Sequence, residues 1–343
     1  MTVRTLSERD LNRALLARQM LLKRAKTPIP RALERMAGLQ AQYAPSMYIG
    51  LWSRLDGLER DAVTRALERR SIVQASMMRT TIHLVSKRDY WPFVVGIRRS
   101  QREWWLRTHG RGIDPREIDA NDRKVRKAFA GGTLSRAELE EVLGQRLGPA
   151  GLWLDMVRVP PSGTWEHRRA DLYALAEDWV GPENVTEEEG IERLVRRYLG
   201  GFGPAPANDI ADWARLKMTA MKPALERLQL RRFRDEQGKE LVDLPRAPLP
   251  DPDTPAPPRF LPVWDATLLV HARRTQILPE RYRDRVFNVK TPHSVNTFLV
   301  DGAVAGTWRY EKGRVRLEPF GRLTRASRTE LEEEAERLAA FHE

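Results

Sequence analysis

The stretch "SIVQASMMRTTIHLVS", Ser71 to Ser86, decides how the first third of the chain is read. Both flanks carry β-branched residues. Such side chains are stiff at χ1 and fit a pleated surface, so the stretch reads as two strands, and "MMRTTIHLVS" puts Arg79 and His83 in the strand pair. What precedes it is helical. "LSERDLNRALLARQML" opens on a capping signal, Ser7 with Asp10 three residues later. "RALERMAGL" follows and, after an irregular stretch, "LERDAVTRALERR". Helices followed by a two-stranded ribbon are the winged-helix arrangement, a relative of helix-turn-helix.

Working outward, the same grammar recurs. "DPREIDANDRKVRKAFAGG" and "TLSRAELEEVLGQRLG" read as helices, the second opened by a capping box of Ser135 and Glu138, and "PPSG" then turns between strands. A third pass gives "TEEEGIERLVRRYLGGFG", capped by Thr186 and Glu189, two further helices, and a hairpin around Gln237–Gly238. The proline-dense "LPRAPLPDPDTPAPPRFLP" then reads as extended linker. Beyond it come strands, with Asp301–Gly302 as a two-residue hairpin turn and a terminal helix opened by Ser327 and Glu330. The predicted class is mainly α with β: tandem winged-helix units over residues 1–110, 111–182 and 183–246, a linker over 247–258, and a β-rich module with a closing helix over 259–343.

The chain of 343 residues has no cysteine, which excludes disulfides, thiolate catalysis and the usual structural zinc sites. Its six histidines are scattered, without paired metal spacing, so no metal or other cofactor is expected. Lys+Arg total 59 against Asp+Glu 47, a net charge of +12, and this excess favours a polyanionic partner, nucleic acid ahead of a membrane. No apolar run is long enough for a bilayer, and the N-terminus is too charged for a signal peptide, so a cytoplasmic protein is expected. The glycine-rich "GGFGPAP" joins two helices and reads as a connector. Trp52, Trp91, Trp104 and Trp105 read as packing residues before base-stacking platforms, and His83, inside "TIHLV", as a core histidine.

"GLQAQ", Gly38 to Gln42, raises the question of chemistry. Leu33, Met36, Ala37 and position 40 fall on one helical face, so position 40 points toward a core and yet carries an amide. A buried amide without partners costs about 1–3 kcal/mol. Gln40 and Gln42 either tie the helix end to backbone or reach together into a site. Two residues two apart face one way only in extended chain, so the second reading needs the helix to end near Leu39.

"GLQAQ", "MMRTTIHLVS", "YLGGFGPAPANDIADWARL" and "VNTFLVDGAVAGTWR" together resemble the bacterial winged-helix DNA glycosylases of the AlkZ/YcaQ type, over nearly the whole chain. The resemblance implies three tandem winged helices and a C-terminal β-barrel-like domain arranged around DNA. It also implies that Gln40 and Gln42 are the catalytic pair, orienting a water toward the anomeric carbon of an N7-alkylated guanosine. The Gln-x-Gln form resembles the branch that protects antibiotic producers from DNA-crosslinking products, where the other branch carries Asp. The partner implied is double-stranded DNA bearing an alkylated guanine. Arg79 is a candidate groove contact or a solvated strand arginine, and Lys290 and His293 in "VKTPHSVNT" are candidate DNA contacts or an ordinary loop. Three departures stand out: Thr80 occupies a usual glycine position, "KTPHSVN" replaces an Asn-Gly-Trp-like stretch, and "GQRLGPAGLWLDMV" leaves little room for the third helix of the second unit. The rival reading is a non-catalytic winged-helix DNA-binding protein or transcription regulator. That class is normally dimeric, and no dimer helix is evident, so a monomer is expected.

Overall fold

The computed structural model describes residues 3–109, 115–147, 150–268, 274–287 and 294–343. After β1 (Thr5–Leu6), α1 (Glu8–Arg18) begins where the capping signal stands: Ser7 Oγ accepts the Asp10 amide and the Asp10 carboxylate accepts the Ser7 amide. Next come α2 (Ile29–Met36), β2 (Leu39–Gln40), α3 (Ala44–Trp52), α4 (Arg60–Glu68), and the hairpin β3 (Ile72–Ser76) and β4 (Ile82–Ser86). A 3₁₀ turn, Met78–Thr80, joins the hairpin strands. The 23-residue α5 (Lys87–His109) leads to α6 (Pro115–Phe129), β5 (Leu134–Ser135), α7 (Arg136–Leu143) and the four-residue α8 (Ala150–Trp153). β6 (Met156–Arg158), β7 (Leu172–Leu175) and α9 (Ala176–Trp179) follow.

These strands form one six-stranded sheet, in the order β2-β4-β3-β6-β7-β5. It crosses position 110, since Gln74 and Ala75 of β3 face Arg158 and Val157 of β6. α10 (Glu187–Phe202), α11 (Ala207–Ala214) and α12 (Met218–Arg227) precede the hairpin β8 (Arg231–Asp235) and β9 (Glu240–Asp243), whose β8 edge pairs in parallel with β1. α5 and α10 cross where Gly96 meets Gly190: a Cβ on Gly190 would stand 2.6 Å from Pro92 O.

The proline segment is clamped on α1. Arg9 Nε donates to Pro252 O at 2.9 Å, Arg13 Nε to Thr254 O at 2.7 Å, and Arg18 Nη2 to Pro248 O at 2.9 Å. The segment runs irregularly, with a turn closed by the Thr254 amide on Asp251 O at 3.0 Å, and its carbonyls at Pro248, Pro252 and Thr254 accept from α1.

The last module corrects two expectations. β10 (Arg259–Leu261), β11 (Thr297–Val300), β12 (Ala303–Glu311) and β13 (Arg314–Pro319) form an antiparallel meander, preceded at its second strand by α13 (Arg283–Val286). A barrel requires its first and last strands to pair. Here β10 and β13 are separate edges, so among the described residues the β-barrel-like module is an open sheet. α14 (Arg325–His342) covers it, burying Leu331 and Leu338 with Phe260, Phe298 and Trp308. The cap of α14 is Thr324, whose Oγ1 accepts the Ser327 amide at 3.1 Å, and Ser327 itself lies inside the helix. The architecture is mixed α and β. Among the described residues no helix is long and apolar enough to cross a membrane.

Candidate active site

α2 ends at Met36 because the next two residues turn left-handed, Ala37 at φ +63° and Gly38 at φ +78°. Gly38 also lies tight against β4, where a Cβ would stand 3.0 Å from Leu84 O. The chain then enters β2, with Leu39 opposite Leu84 and Gln40 opposite His83. Ala41 N continues the pairing to Ile82 O at 2.7 Å. β2 ends at Gln40, and Gln42 lies in the bend that follows; both amides meet the β3–β4 hairpin.

Each amide oxygen is held by a group that can only donate. Gln40 Oε1 accepts from Arg79 Nη2 at 3.2 Å, and Gln42 Oε1 accepts from the Ile82 amide at 3.0 Å. Neither donor can face an NH₂ group, so the orientation of both amides is dictated. An amide oxygen has two lone pairs, and one on each glutamine remains for a further donor. Gln40 is buried at 9% exposure, and Gln42 is exposed.

Arg79 is the pivot. It sits in the 3₁₀ turn at φ +56°, and its side chain turns inward, Nη1 donating to Trp213 O at 2.8 Å. That carbonyl is in the last turn of α11, where unpaired carbonyls and the helix dipole favour a cation. No carboxylate pairs with Arg79 among the described residues. Burial draws its pKa down to about 10, with the cations Arg215 and Arg274 adding to the effect, so it remains charged at neutral pH. His83, the strand partner of Gln40, is 3% exposed, and its Nδ1 lies 3.0 Å from Thr81 O. Burial first, and Arg79 second, push its pKa down to about 3, so the ring is neutral and Nδ1–H donates to that carbonyl.

Gln40 and Arg79 are thus in contact, and Gln42 meets the same hairpin through Ile82, while Lys290 and His293 lie outside the described residues. Sequence reasoning missed the α11 carboxyl end and Arg215, whose guanidinium lies 4.1 Å from the Trp104 ring centroid. Their one sequence signal was "DWARL" itself, with Arg215 closing the helix at φ +55°. No cluster of three or more His, Asp or Glu side chains suited to a metal occurs among the described residues.

A family model described as DNA glycosylase AlkZ-like matches residues 33–341. The chain belongs to the AlkZ-like DNA glycosylase family. An interstrand DNA cross-link repair glycosylase of Streptomyces sahachiroi is 25% identical over 248 residues, 66% of this chain and 64% of that protein. The chain thus spans just under two thirds of the curated relative it matches. The solved structure of the Streptomyces sahachiroi DNA glycosylase AlkZ superposes with a TM-score of 0.82 at 20% identity, covering 98% of this chain and 97% of that one. The AlkZ-like fold therefore extends over the described molecule, and Gln40 and Gln42 lie inside the matched range.

Proposed function

We propose that this AlkZ-like chain is a monofunctional DNA glycosylase that excises cationic N7-alkylguanine from duplex DNA. Its helix-plus-hairpin groups act as winged helices on the DNA, and Gln40 and Gln42 direct the attacking water. The observation that carries this reading is the pair of amides, two residues apart at the end of β2, with both oxygens fixed by obligate donors on the β3–β4 hairpin. The relative's repair of interstrand cross-links makes crosslinked N7 adducts candidate substrates.

The chemistry suits such mild groups. An N7-alkylguanine carries a positive charge, so cleavage of C1′–N9 returns the bonding electrons to the purine and releases a neutral base. No general acid is needed. Water donates hydrogen bonds to the free lone pairs of the two amide oxygens and presents its own lone pair to C1′. The proton it loses passes to solvent or a phosphate, leaving an abasic deoxyribose. Orientation, rather than basicity, is the contribution of the glutamines. Neutral lesions such as uracil, whose departure would need a proton, are refused. Arg79 keeps Gln40 in place from behind, while His83, neutral and tied to Thr81 O, fills the adjacent strand position without adding charge.

Incubation with duplex containing N7-methylguanine should produce alkali-labile abasic sites and free base, with no strand cleavage before alkali. Tight DNA binding without base release would favour the regulator reading and overturn this one.

A further inference from the structure

A groove of about 550 Å³ opens beside the β3–β4 turn, between Thr80, the carboxyl end of α5 and strands β6 and β7. Its lining combines aromatic and cationic groups: Trp104 and Trp105 from α5, Arg158 from β6 and Tyr173 from β7. Both indoles are only half-buried, unlike the core tryptophans Trp91 and Trp213. Arg158 donates to Ser76 Oγ at 3.2 Å and to Ala170 O at 3.2 Å, and no carboxylate pairs with it among the described residues. Arg215, stacked on Trp104, likewise has no carboxylate partner, and its buried Nη1 has no hydrogen-bond partner. The Gln101 amide donates to Met77 O at 2.5 Å, fastening α5 to the hairpin that holds Arg79. The α5 wall of the groove is thus tied to the hairpin turn whose Arg79 contacts Gln40.

Indole faces bind nucleobases of any sequence, and guanidinium groups bind the phosphates between them. The geometry points to a subsite for one unstacked nucleotide of the DNA strand, its base against Trp105 and the face of Trp104 that Arg215 leaves open, and its phosphate against Arg158. The subsite is separate from the glutamine pair that faces the lesion. It rests on the proposal that the hairpin face meets DNA. Removing a base from the stack next to a lesion leaves its neighbour poorly stacked, and the groove holds that neighbour outside the helix.

The test uses the full chain and a duplex carrying a tetrahydrofuran abasic-site analogue with 2-aminopurine as the next base. 2-Aminopurine brightens when unstacked in water and is quenched again on an indole. Binding to the wild-type protein should leave it quenched. Trp104→Leu and Trp105→Leu should raise its fluorescence at least about twofold and weaken binding at least about fivefold, the lower end of what base–aromatic stacking gives. Trp104→Phe, which keeps a ring, should restore both signals and guards against misfolding of the leucine variants. Unchanged fluorescence and affinity in folded Trp→Leu variants would overturn the subsite. So would normal binding combined with loss of excision only for bulky aromatic adducts, which would give the groove to the adduct. A wild-type protein that fails to bind the duplex at all would instead overturn the proposed function. The fluorescence and affinity readouts require no base excision.

Discussion

Arg79 occupies a left-handed conformation at φ +56°, and Thr80 follows at φ +59°. Each such residue costs about 1–2 kcal/mol relative to the right-handed region, so the surrounding contacts must impose the turn. They hold the guanidinium between the Trp213 carbonyl and the Gln40 amide. A planar fork makes two bonds in fixed directions, which a lysine cannot. Arg79→Lys and Arg79→Met should therefore both slow single-turnover excision at least ~10-fold, about 1.4 kcal/mol. Recovery by lysine would reduce Arg79 to a simple charge near DNA. His83 supplies a pH signature. Its folded pKa of about 3 lies below the ordinary 6.5, so the unfolded chain takes the proton first. The stability contributed by its neutral form is complete above about pH 6.5 and is lost as pH falls toward 3. His342, drawn down to about 4 by burial, acts in the same direction, so the comparison must be made against a His83 variant. The difference in unfolding free energy between wild type and His83→Gln should change by up to about 1.4 kcal/mol per pH unit below pH ~6.5. A pH-independent difference would show that the histidine titrates normally.

Among the elements, those with a local chemical signature were legible. The capping boxes at Ser7, Ser135 and Thr186 all form, and the Asp301–Gly302 turn closes its hairpin with both residues at positive φ. α3 was read as irregular because every one of its residues is buried, which leaves no amphipathic period to detect. α5 was missed for another reason. Pro92 lies inside it, and its close crossing with α10 at Gly96–Gly190 depends on residues 94 apart. The glutamine pair was legible because it interrupts an apolar face. Its support was not, since Arg79 and Trp213 are separated by 134 positions. A buried ion pair similarly ties the turn after α3 to the last module: Arg54 Nη2 donates to Asp265 Oδ1 at 2.9 Å, and both side chains are 0% exposed. Breaking a buried pair leaves an uncompensated charge. Arg54→Met should cost about 3–5 kcal/mol in denaturant unfolding, and adding Asp265→Leu should recover much of it. A double variant no more stable than the single one would contradict this account of the pair.

At the scale of the molecule, the expected boundaries are bridged by packing. One core runs from Leu15 through Val157 and Tyr198 to Leu299, and a second joins Trp52 to Phe260 and Trp308. Such continuity lets a short hairpin receive supports from distant segments, as Gln40 does. The net charge of +12 belongs to the same scale. If the molecule holds DNA mainly by its phosphates, affinity should fall with salt on a log–log slope near −0.9 per phosphate neutralised, with little sequence preference. A salt-insensitive affinity or an operator-like preference would contradict that. The central claim is that Gln40 and Gln42 orient the attacking water. The direct measurement is single-turnover excision of N7-methylguanine by Gln40→Ala and Gln42→Ala, read beside the melting temperature of each variant. The account predicts a loss of at least ~10-fold in rate, about 1.4 kcal/mol of transition-state stabilisation, with stability and DNA affinity nearly unchanged. Variants destabilised by about 1–3 kcal/mol that retain full excision once folded would make the amides structural and contradict it.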